Sequence, residues 1–291
     1  MGTYINLYEK DKKKYKNTGF KRQALESKLR IPVLSNGFAF ASVADFENRD
    51  KFREAIGAKS LVPLFEVHEL ADASTEDKKF ESGSFSKVIE NGVEKITFEC
   101  YISIPAFNAL QSYEESEYNE LFEYNQDGDY SGVYDTDGVK VRGRKITSIN
   151  VTRLRATKEK VPYVKGEIVF DSKTDVERAV VTKSNLTKED LEGIFDVELK
   201  QIHASATSIV FKAYSEGALV KDLDTKKIFL NNTSGKNLRP NGITFEPSNG
   251  TYEIKGTGFA SGFTVGMLGV DIKPNIMFEV VDLLKIEVAT N

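Results

Sequence analysis

Tryptophan is absent from this chain of 291 residues, and cysteine and histidine are scarce, with one and two residues respectively. A lone cysteine excludes a disulfide bond within the chain, and Cys100 falls on the apolar side of a strand pattern, where a small core residue is expected. No apolar run approaches the ~20 residues of a membrane helix. The first residues also lack the apolar block of a signal peptide. We therefore expect no membrane span, and a protein made and kept in a cytoplasm.

The sequence contains no constellation that predicts catalysis. His68 to Asp72 begins like the helix of a zinc protease, but Asp72 stands where the second histidine is needed. His203 has serines nearby, and neither serine lies in a glycine elbow. Without tryptophan, a glycosidase would have to stack sugar rings on tyrosine or phenylalanine. We expect neither an enzyme nor a bound cofactor.

An acidic, glycine-rich segment over residues 127–138 contains residues that could bind calcium. Possible oxygen ligands alternate there as in a calcium loop, at Asn125, Asp127, Asp129, Asp135 and Asp137. Tyr130 occupies the position where an EF-hand loop needs glycine. We predict an exposed hairpin tip without a metal, and keep calcium as the alternative.

Charge is distributed unevenly along the chain. Residues 1–30 hold nine Lys or Arg and three acidic residues, a balance of +6, whereas the other 261 residues hold 31 basic and 41 acidic groups, a balance of −10. An acidic body disfavours nucleic-acid binding, because phosphate contacts need clustered cations. Residues 1–30 are predicted to form a basic N-terminal arm, either a solvated tail or a segment that docks onto an acidic neighbour.

Residues 31–182 show the pattern of a β domain with one main helix, and the expected architecture is a β-sandwich or barrel. Apolar and polar residues alternate from Ile96 to Ile104. From Pro105 the apolar spacing becomes three to four residues, which predicts a helix reaching Phe122. The remaining predicted elements are a hairpin around Asn36-Gly37, a helix over 48–56 with Gly57 as C-cap, and strands over 61–68, 146–154 and 161–170.

Two polar stretches interrupt this pattern. Residues 69–88 predict a long loop, a kind of segment that is usually functional or disordered. Residues 171–192 predict a linker.

Residues 187–291 predict an immunoglobulin-like β-sandwich, because short β-rich segments recur at regular spacing with turn residues between them. Tyr252 is a candidate tyrosine corner. The disulfide and tryptophan of antibody domains are absent, so the prediction concerns architecture only. The eight predicted segments are 197–202, 208–214, 227–230, 243–245, 251–254, 263–268, 276–280 and 285–288.

In its order of elements, the first domain resembles the tail tube proteins of long-tailed bacteriophages. Several tube proteins and other phage structural proteins also carry an immunoglobulin-like domain at the C-terminus. The basic arm and the helix over 48–56 have no clear counterpart in the simplest tube proteins. The likeness rests on the strand and loop from Leu61 to Lys87, the turn at Gly92, the strand Ile96 to Ile104, the helix from Pro105, the glycine-rich tip and the strands over 146–154 and 161–170.

The resemblance implies a virion structural protein that assembles in the host cytoplasm. Its hexameric rings would stack as a tail tube, joined to other tail proteins, with DNA passing through a β-lined channel. Loops and arms would bridge successive rings, so the candidate inter-subunit residues are Lys12, Lys13 and Lys14 of the arm and Glu76, Asp77, Lys78 and Lys79 of the loop. The alternatives are a capsid decoration or tail-completion protein and, outside the virion, a monomeric cell-surface glycan-binding module.

Overall fold

The computed structural model describes residues 5–6, 29–82, 85–90, 92–125, 128–156, 161–171, 175, 178–183, 185–238, 242–246, 249–274 and 276–288. The part of the chain that the structure describes is mainly β, with 49% strand and three α-helices. This composition confirms the predicted fold class. The chain divides into two compact units, Met1–Glu192 and Gly193–Asn291.

The described part of the first unit contains three helices and fourteen strands. The helices are α1 (Val43–Phe46), α2 (Arg49–Gly57) and α3 (Ile104–Gln111). The strands are β1 (Ile5–Asn6), β2 (Leu29–Ser35), β3 (Ala39–Phe40), β4 (Leu61–Pro63), β5 (His68–Asp72), β6 (Lys78–Ser82), β7 (Phe85–Glu90), β8 (Lys95–Cys100), β9 (Glu120–Asn125), β10 (Asp129–Tyr134), β11 (Val141–Arg142), β12 (Arg144–Leu154), β13 (Tyr163–Phe170) and β14 (Ala179–Lys183).

Twelve of these strands form one antiparallel sheet. Its main path runs β1-β14-β10-β9-β12-β13-β8-β5, while β2 and β4 extend from β9, and β11 and β3 extend from β10. Arg144 and Lys145 of β12 pair with β9, and the rest of β12 pairs with β13. Strand β12 therefore links the β9 half of the sheet to the β13 half.

An aromatic cluster fills the core of the β9 half. Its rings come from β3, α1, α2, β9 and β10, and Tyr130 lies among them, with its ring 4.7 Å from that of Phe46 and 5.1 Å from that of Phe52. Offset and edge-to-face ring pairs of this kind are favourable beyond the area they bury. Helices α1 and α2 are thereby fixed onto the sheet.

A second core lies in the β13 half, under helix α3. Phe98 and Cys100 of β8 and Ile168 of β13 are buried there together with Leu110 of α3. A Cβ atom at position 166 would stand 2.1 Å from the ring of Phe98, so only glycine leaves room for this ring on the neighbouring strand. Burial raises the pKa of the Cys100 thiol to about 11, which supports its interpretation as a core residue.

The short helix was predicted correctly, and its cap explains why. Asn48 accepts hydrogen bonds from the backbone N–H groups of Asp50 (2.9 Å) and Lys51 (3.3 Å), and α2 follows directly. The predicted C-cap was wrong, because Gly57 is still helical and Lys59 is the residue with left-handed backbone, at φ 59°.

The predicted hairpin around Asn36-Gly37 was also wrong. Strand β2 pairs with β4 and β9, whereas β3 pairs with β11. The Asn-Gly turn therefore connects strands that have different partners.

The main helix is shorter than the sequence predicted. Pro105 lies in its first turn and Ser103 caps it, but α3 ends at Gln111, and Leu121 and Phe122 belong to strand β9. The predicted exposed tip was only partly right, because residues 135–138 lie in the turn between β10 and β11, with Thr136 and Asp137 exposed. Strand β10 itself is buried along its whole length and pairs with β9, β11 and β14. Both faces of β9 and β10 contact the core, so their apolar residues show no alternation.

The predicted linker over 171–192 is part of the first unit. Strand β14 pairs with both β10 and β1. Asp190, which is 1% exposed, accepts two 2.8 Å hydrogen bonds from Arg49 of α2 and lies 3.4 Å from Arg53. Polar residues of this segment form hydrogen bonds with buried groups. Composition alone does not distinguish such residues from polar residues that are exposed to solvent.

The second unit is a sandwich of two antiparallel sheets, in which the strand order is that of an immunoglobulin domain. One sheet runs β16-β17-β22-β21 with β18 beside β17, and the other runs β20-β19-β23-β26. If the strands are lettered in chain order as in immunoglobulin domains, the first sheet is A-B-E-D and the second sheet, which faces it, is C′-C-F-G. A small third sheet contains β15, β25 and β24. The ranges are β15 (Ile194–Asp196), β16 (Glu198–Ala204), β17 (Ser208–Ser215), β18 (Ala218–Val220), β19 (Ile228–Asn231), β20 (Asn237–Leu238), β21 (Gly242–Glu246), β22 (Thr251–Lys255), β23 (Thr264–Met267), β24 (Asp271–Ile272), β25 (Met277–Glu279) and β26 (Leu284–Lys285).

Tyr252 is buried in this sandwich but does not form a tyrosine corner. Its hydroxyl donates to the Val220 carbonyl (3.1 Å) and accepts from the Leu223 N–H (3.0 Å). Both partners lie about thirty residues upstream, whereas a tyrosine corner bonds to backbone only a few residues away. Tyr252 is a structural residue as predicted, but its predicted role as a tyrosine corner was wrong.

Candidate functional site

The first unit contains a long antiparallel ribbon, which we define as residues 68–82, 85–90 and 92–100, and packing within the unit does not explain its outer part. Its base is β5 and β8, and its tip is the β6–β7 hairpin, with Ser82 opposite Phe85. Between base and tip the ladder continues through the Ala73 N–H to the Lys95 carbonyl (3.0 Å) and the Thr75 N–H to the Val93 carbonyl (2.8 Å). The predicted loop over 69–88 is therefore largely strand.

The middle of the ribbon is held together by side-chain hydrogen bonds to backbone. The Gly92 N–H donates to the Asp77 carboxylate (2.7 Å), and the Val93 N–H donates to the Thr75 hydroxyl (2.8 Å). A Cβ atom at Gly92 would lie 1.9 Å from the Thr75 carbonyl oxygen, so the two strands approach each other more closely than any other residue would allow. These contacts fix the direction of the tip.

The tip carries exposed apolar side chains. Phe80 pairs with Lys87 and Phe85 pairs with Ser82, so these four side chains share one face, and Ile89 lies at the register shift opposite Lys78 and Lys79. The exposed fractions of Phe80, Phe85 and Ile89 are 54%, 57% and 66%. The other face carries Lys79, Glu81 and Ser86 together with Val88. A two-stranded ribbon has no second layer with which to bury such side chains.

The predicted inter-subunit residues of the loop all lie on this ribbon. Asp77 has a structural role at Gly92, as described above. Lys78 and Lys79 begin β6, where a register shift separates them, and Glu76 is exposed just before it. Lys12, Lys13 and Lys14 lie outside the described residues.

Sequence reasoning missed Phe80, Phe85 and Ile89. The signal was present, because Phe80 and Phe85 lie on either side of Ser82-Gly83-Ser84, a glycine-containing segment of the kind that predicts a hairpin turn. Lysines and glutamates between the apolar residues gave the segment the composition of a loop.

A buried ionic cluster lies where β9 meets β12. Arg142 donates to the Asp175 carboxylate at 3.0 and 3.3 Å and lies 3.6 Å from Asp135 and 3.8 Å from Glu120. Burial raises the pKa of Glu120 to about 7, partly offset by the charges of Arg142 and Lys145. Glu120 Oε2 has no hydrogen-bond partner in the described part of the chain.

The sequence-predicted metal candidates are not brought together. Within the described ranges, no group of three or more His, Cys, Asp or Glu side chains could hold a metal ion. Asn125 accepts the Asp129 N–H within a tight turn (2.9 Å), and Asp127 lies outside the described residues. His68 and His203 lie on strands β5 and β16.

Across the residues that the structure describes, no helix is long and apolar enough to cross a membrane. Comparison of the chain with protein-family models, with curated proteins and with solved structures found no match.

Proposed function

We propose that this chain is a self-assembling structural protein, whose copies associate into rings that stack as the tail tube of a long-tailed bacteriophage. The observation that carries the proposal is the ribbon, whose tip carries Phe80, Phe85 and Ile89 with more than half of each side chain exposed. Full burial of a Phe or Ile side chain contributes about 1.5–3 kcal/mol, so covering three half-exposed ones would contribute roughly 2–4 kcal/mol per ribbon. A neighbouring copy that covers these side chains would gain that free energy at every contact.

The sheet also offers edges for lateral association. Among the described residues, no strand pairs with the outer edge of β5, or with the side of β12 opposite β13 beyond Lys145. On that side the Val151 N–H is satisfied by the Glu114 carboxylate instead (2.7 Å). A sheet edge without a partner strand can continue from copy to copy, and a head-to-tail contact of this kind closes into a ring when its rotation permits.

The charge balance is compatible with DNA as a passing cargo. Outside the basic arm the chain carries −10, and like charge repels phosphate, so DNA would move past such a surface without adhering. The resemblance in element order supplies the hexameric ring and the other tail proteins as expected partners, and no catalytic step is proposed.

Geometry also bears on the glycan-binding alternative. His68, Tyr101 and Tyr163 form an aromatic row at the ribbon base, with ring centroids 5.9 and 6.2 Å apart. Their planes are tilted by 50° and 41°, so they do not present one flat platform to a sugar ring. This row favours glycan binding less than the apolar tip favours assembly.

The test is negative-stain electron microscopy of the purified full chain at rising concentration, together with light scattering. Rings or tubes are expected. A protein that stays monomeric and binds only to preformed capsids would indicate a decoration protein, and a monomer with saturable sugar affinity would indicate a glycan-binding module. Either result overturns the tube proposal.

A further inference from the structure

Among the described residues, only Ile5 and Asn6 pair with the outer edge of strand β14. Val180, Val181 and Thr182 are buried, at 0%, 4% and 0% exposure. On one side β14 pairs with β10, and on the other Ile5 pairs with Val181 and Asn6 with Val180. Without β1, the sheet would end in a long edge strand with unpaired backbone groups.

Between β1, which covers this edge, and β2, the next described strand, the sequence has 22 residues, 7–28. A chain of that length can span at most about 75 Å when extended. A short connection normally forces a strand to pair within its own chain. A connection of 22 residues is long enough for the strand to pair with another copy instead.

The sequence of the N-terminus divides into two parts. Thr3, Tyr4 and Ile5 are uncharged residues with high strand preference, and the charged residues begin at Glu9 and include five lysines from Lys10 to Lys16. A short strand is thus attached to a basic segment, in a chain that otherwise carries −10.

We infer that in the assembled protein β1 is exchanged, so that Ile5 and Asn6 of one copy pair with β14 of the next copy. The inference rests on the proposed self-assembly. The hydrogen bonds of the pair are the same whichever copy supplies the strand, so exchange loses no contact. In a ring or stack a neighbour's strand is held at a local concentration comparable to that of the chain's own strand. Exchange then connects subunits without any new interface.

Single-cysteine variants test this directly. Directly opposed residues of an antiparallel pair lie within the Cα separation that a disulfide allows, and Cys100 is buried. Ile5→Cys and Val181→Cys chains, each unable to form an internal disulfide between these positions, are mixed before assembly and then oxidised mildly. Exchange predicts a covalent dimer of about twice the 32.5 kDa chain in non-reducing gels.

The matched control pairs Ile5→Cys with Thr136→Cys, an exposed turn residue that is not a partner of β1. The mixture of Ile5→Cys and Val181→Cys chains should give at least ten times more covalent dimer than this control mixture. The double variant Ile5→Cys/Val181→Cys should give a ladder of covalent oligomers.

Electron microscopy of the same samples separates the two proposals. Tubes with a disulfide only inside single chains of the double variant would overturn strand exchange and leave the assembly proposal standing. Absence of both assembly and intermolecular disulfides would overturn both.

Discussion

The Tyr130 hydroxyl is buried among aromatic rings and has no hydrogen-bond partner in the described part of the chain. Leaving a buried hydroxyl unsatisfied costs about 1–3 kcal/mol. We expect Tyr130→Phe to raise the free energy of unfolding by roughly 1 kcal/mol, since a small void offsets part of the gain. Chemical denaturation measures this difference.

Tyr252→Phe is the matched control, because the Tyr252 hydroxyl makes two hydrogen bonds. This variant should lose about 1–3 kcal/mol, since a backbone donor and a backbone acceptor are left unpaired. Equal effects of the two substitutions would contradict the assignment of Tyr130 as unsatisfied.

Glu120 makes stability depend on pH near neutrality. Its folded pKa of about 7 lies above the ordinary value of 4.5, so the folded state binds the extra proton, and stability falls as pH rises from about 4.5 to 7. We expect Glu120→Gln to be more stable than the parent by roughly 2–3 kcal/mol at pH 8 and equal to it at pH 4.

Unfolding curves at several pH values measure this effect, with the exposed Glu115→Gln as control. A constant difference between Glu120→Gln and the parent from pH 4 to 8 would show that Glu120 titrates normally. Arg142 retains its bidentate partner Asp175 in this variant, so loss of fold is not expected.

At the scale of elements, the ribbon tip can be tested without disturbing the sheet. Phe80→Ser/Phe85→Ser removes apolar area that is already exposed, so the unfolding temperature should stay within about 2 °C of the parent. The concentration needed for assembly should rise at least tenfold, because about 1.4 kcal/mol per contact is a factor of ten.

Val139→Ser is the control for this variant, since Val139 is 58% exposed and lies outside the ribbon. Sedimentation of assembled material measures both. If the double variant assembles like Val139→Ser, the ribbon tip does not contact a neighbour.

The basic arm is a second element with a separate prediction. Replacing Lys12, Lys13 and Lys14 together by Gln should slow assembly several-fold, and the parent rate should fall as salt rises, because exposed charges are screened. The triple Lys→Arg variant keeps the charge and should behave like the parent. Light scattering at low and high ionic strength measures the rates, and identical kinetics for all three proteins would leave the arm as a solvated tail.

Sequence reasoning predicted elements with one buried face and missed elements with two buried faces or none. Strands β12 and β13 and most of the sandwich strands were predicted correctly, because apolar and polar residues alternate there. Leu121, Phe122 and Tyr124 of β9 contact the core on both faces, and their spacing fitted a helix equally well. The ribbon tip is held by its ladder and buries nothing, so hydrophobic periodicity did not reveal it.

The ionic contacts within the first unit were beyond any sequence pattern. Asp190 meets Arg49 across 141 positions of sequence, and Arg142 meets Asp175 across 33. Only the fold brings such residues together, so neither the Glu120 cluster nor the true end of the first unit could be predicted.

For the whole molecule, the division at Glu192 gives a truncation test. A chain of residues 1–192 keeps β14 and Asp190 and should still assemble, since the ribbon and the sheet edges lie in the first unit. A chain of residues 1–183 loses Asp190 and leaves Arg53, which is 4% exposed, without that carboxylate. Breaking such a buried pair costs about 3–5 kcal/mol.

Thermal unfolding and electron microscopy of the two truncated chains measure stability and assembly separately. The shorter chain should unfold well below the longer one. A folded 1–192 chain that forms no rings would show that the immunoglobulin-like unit takes part in the ring contact.

The ladder that continues from the ribbon into the sheet has a mechanical consequence. Strand β8 is hydrogen-bonded to β5 on one side and to β13 on the other, and the bonds of antiparallel strands lie perpendicular to the strands. A pull along the ribbon therefore loads these bonds in shear, all at once, and does not peel them apart one by one. Tension applied at the tip passes into β13 and β12, so the ribbon acts as a tether anchored in the body of the sheet.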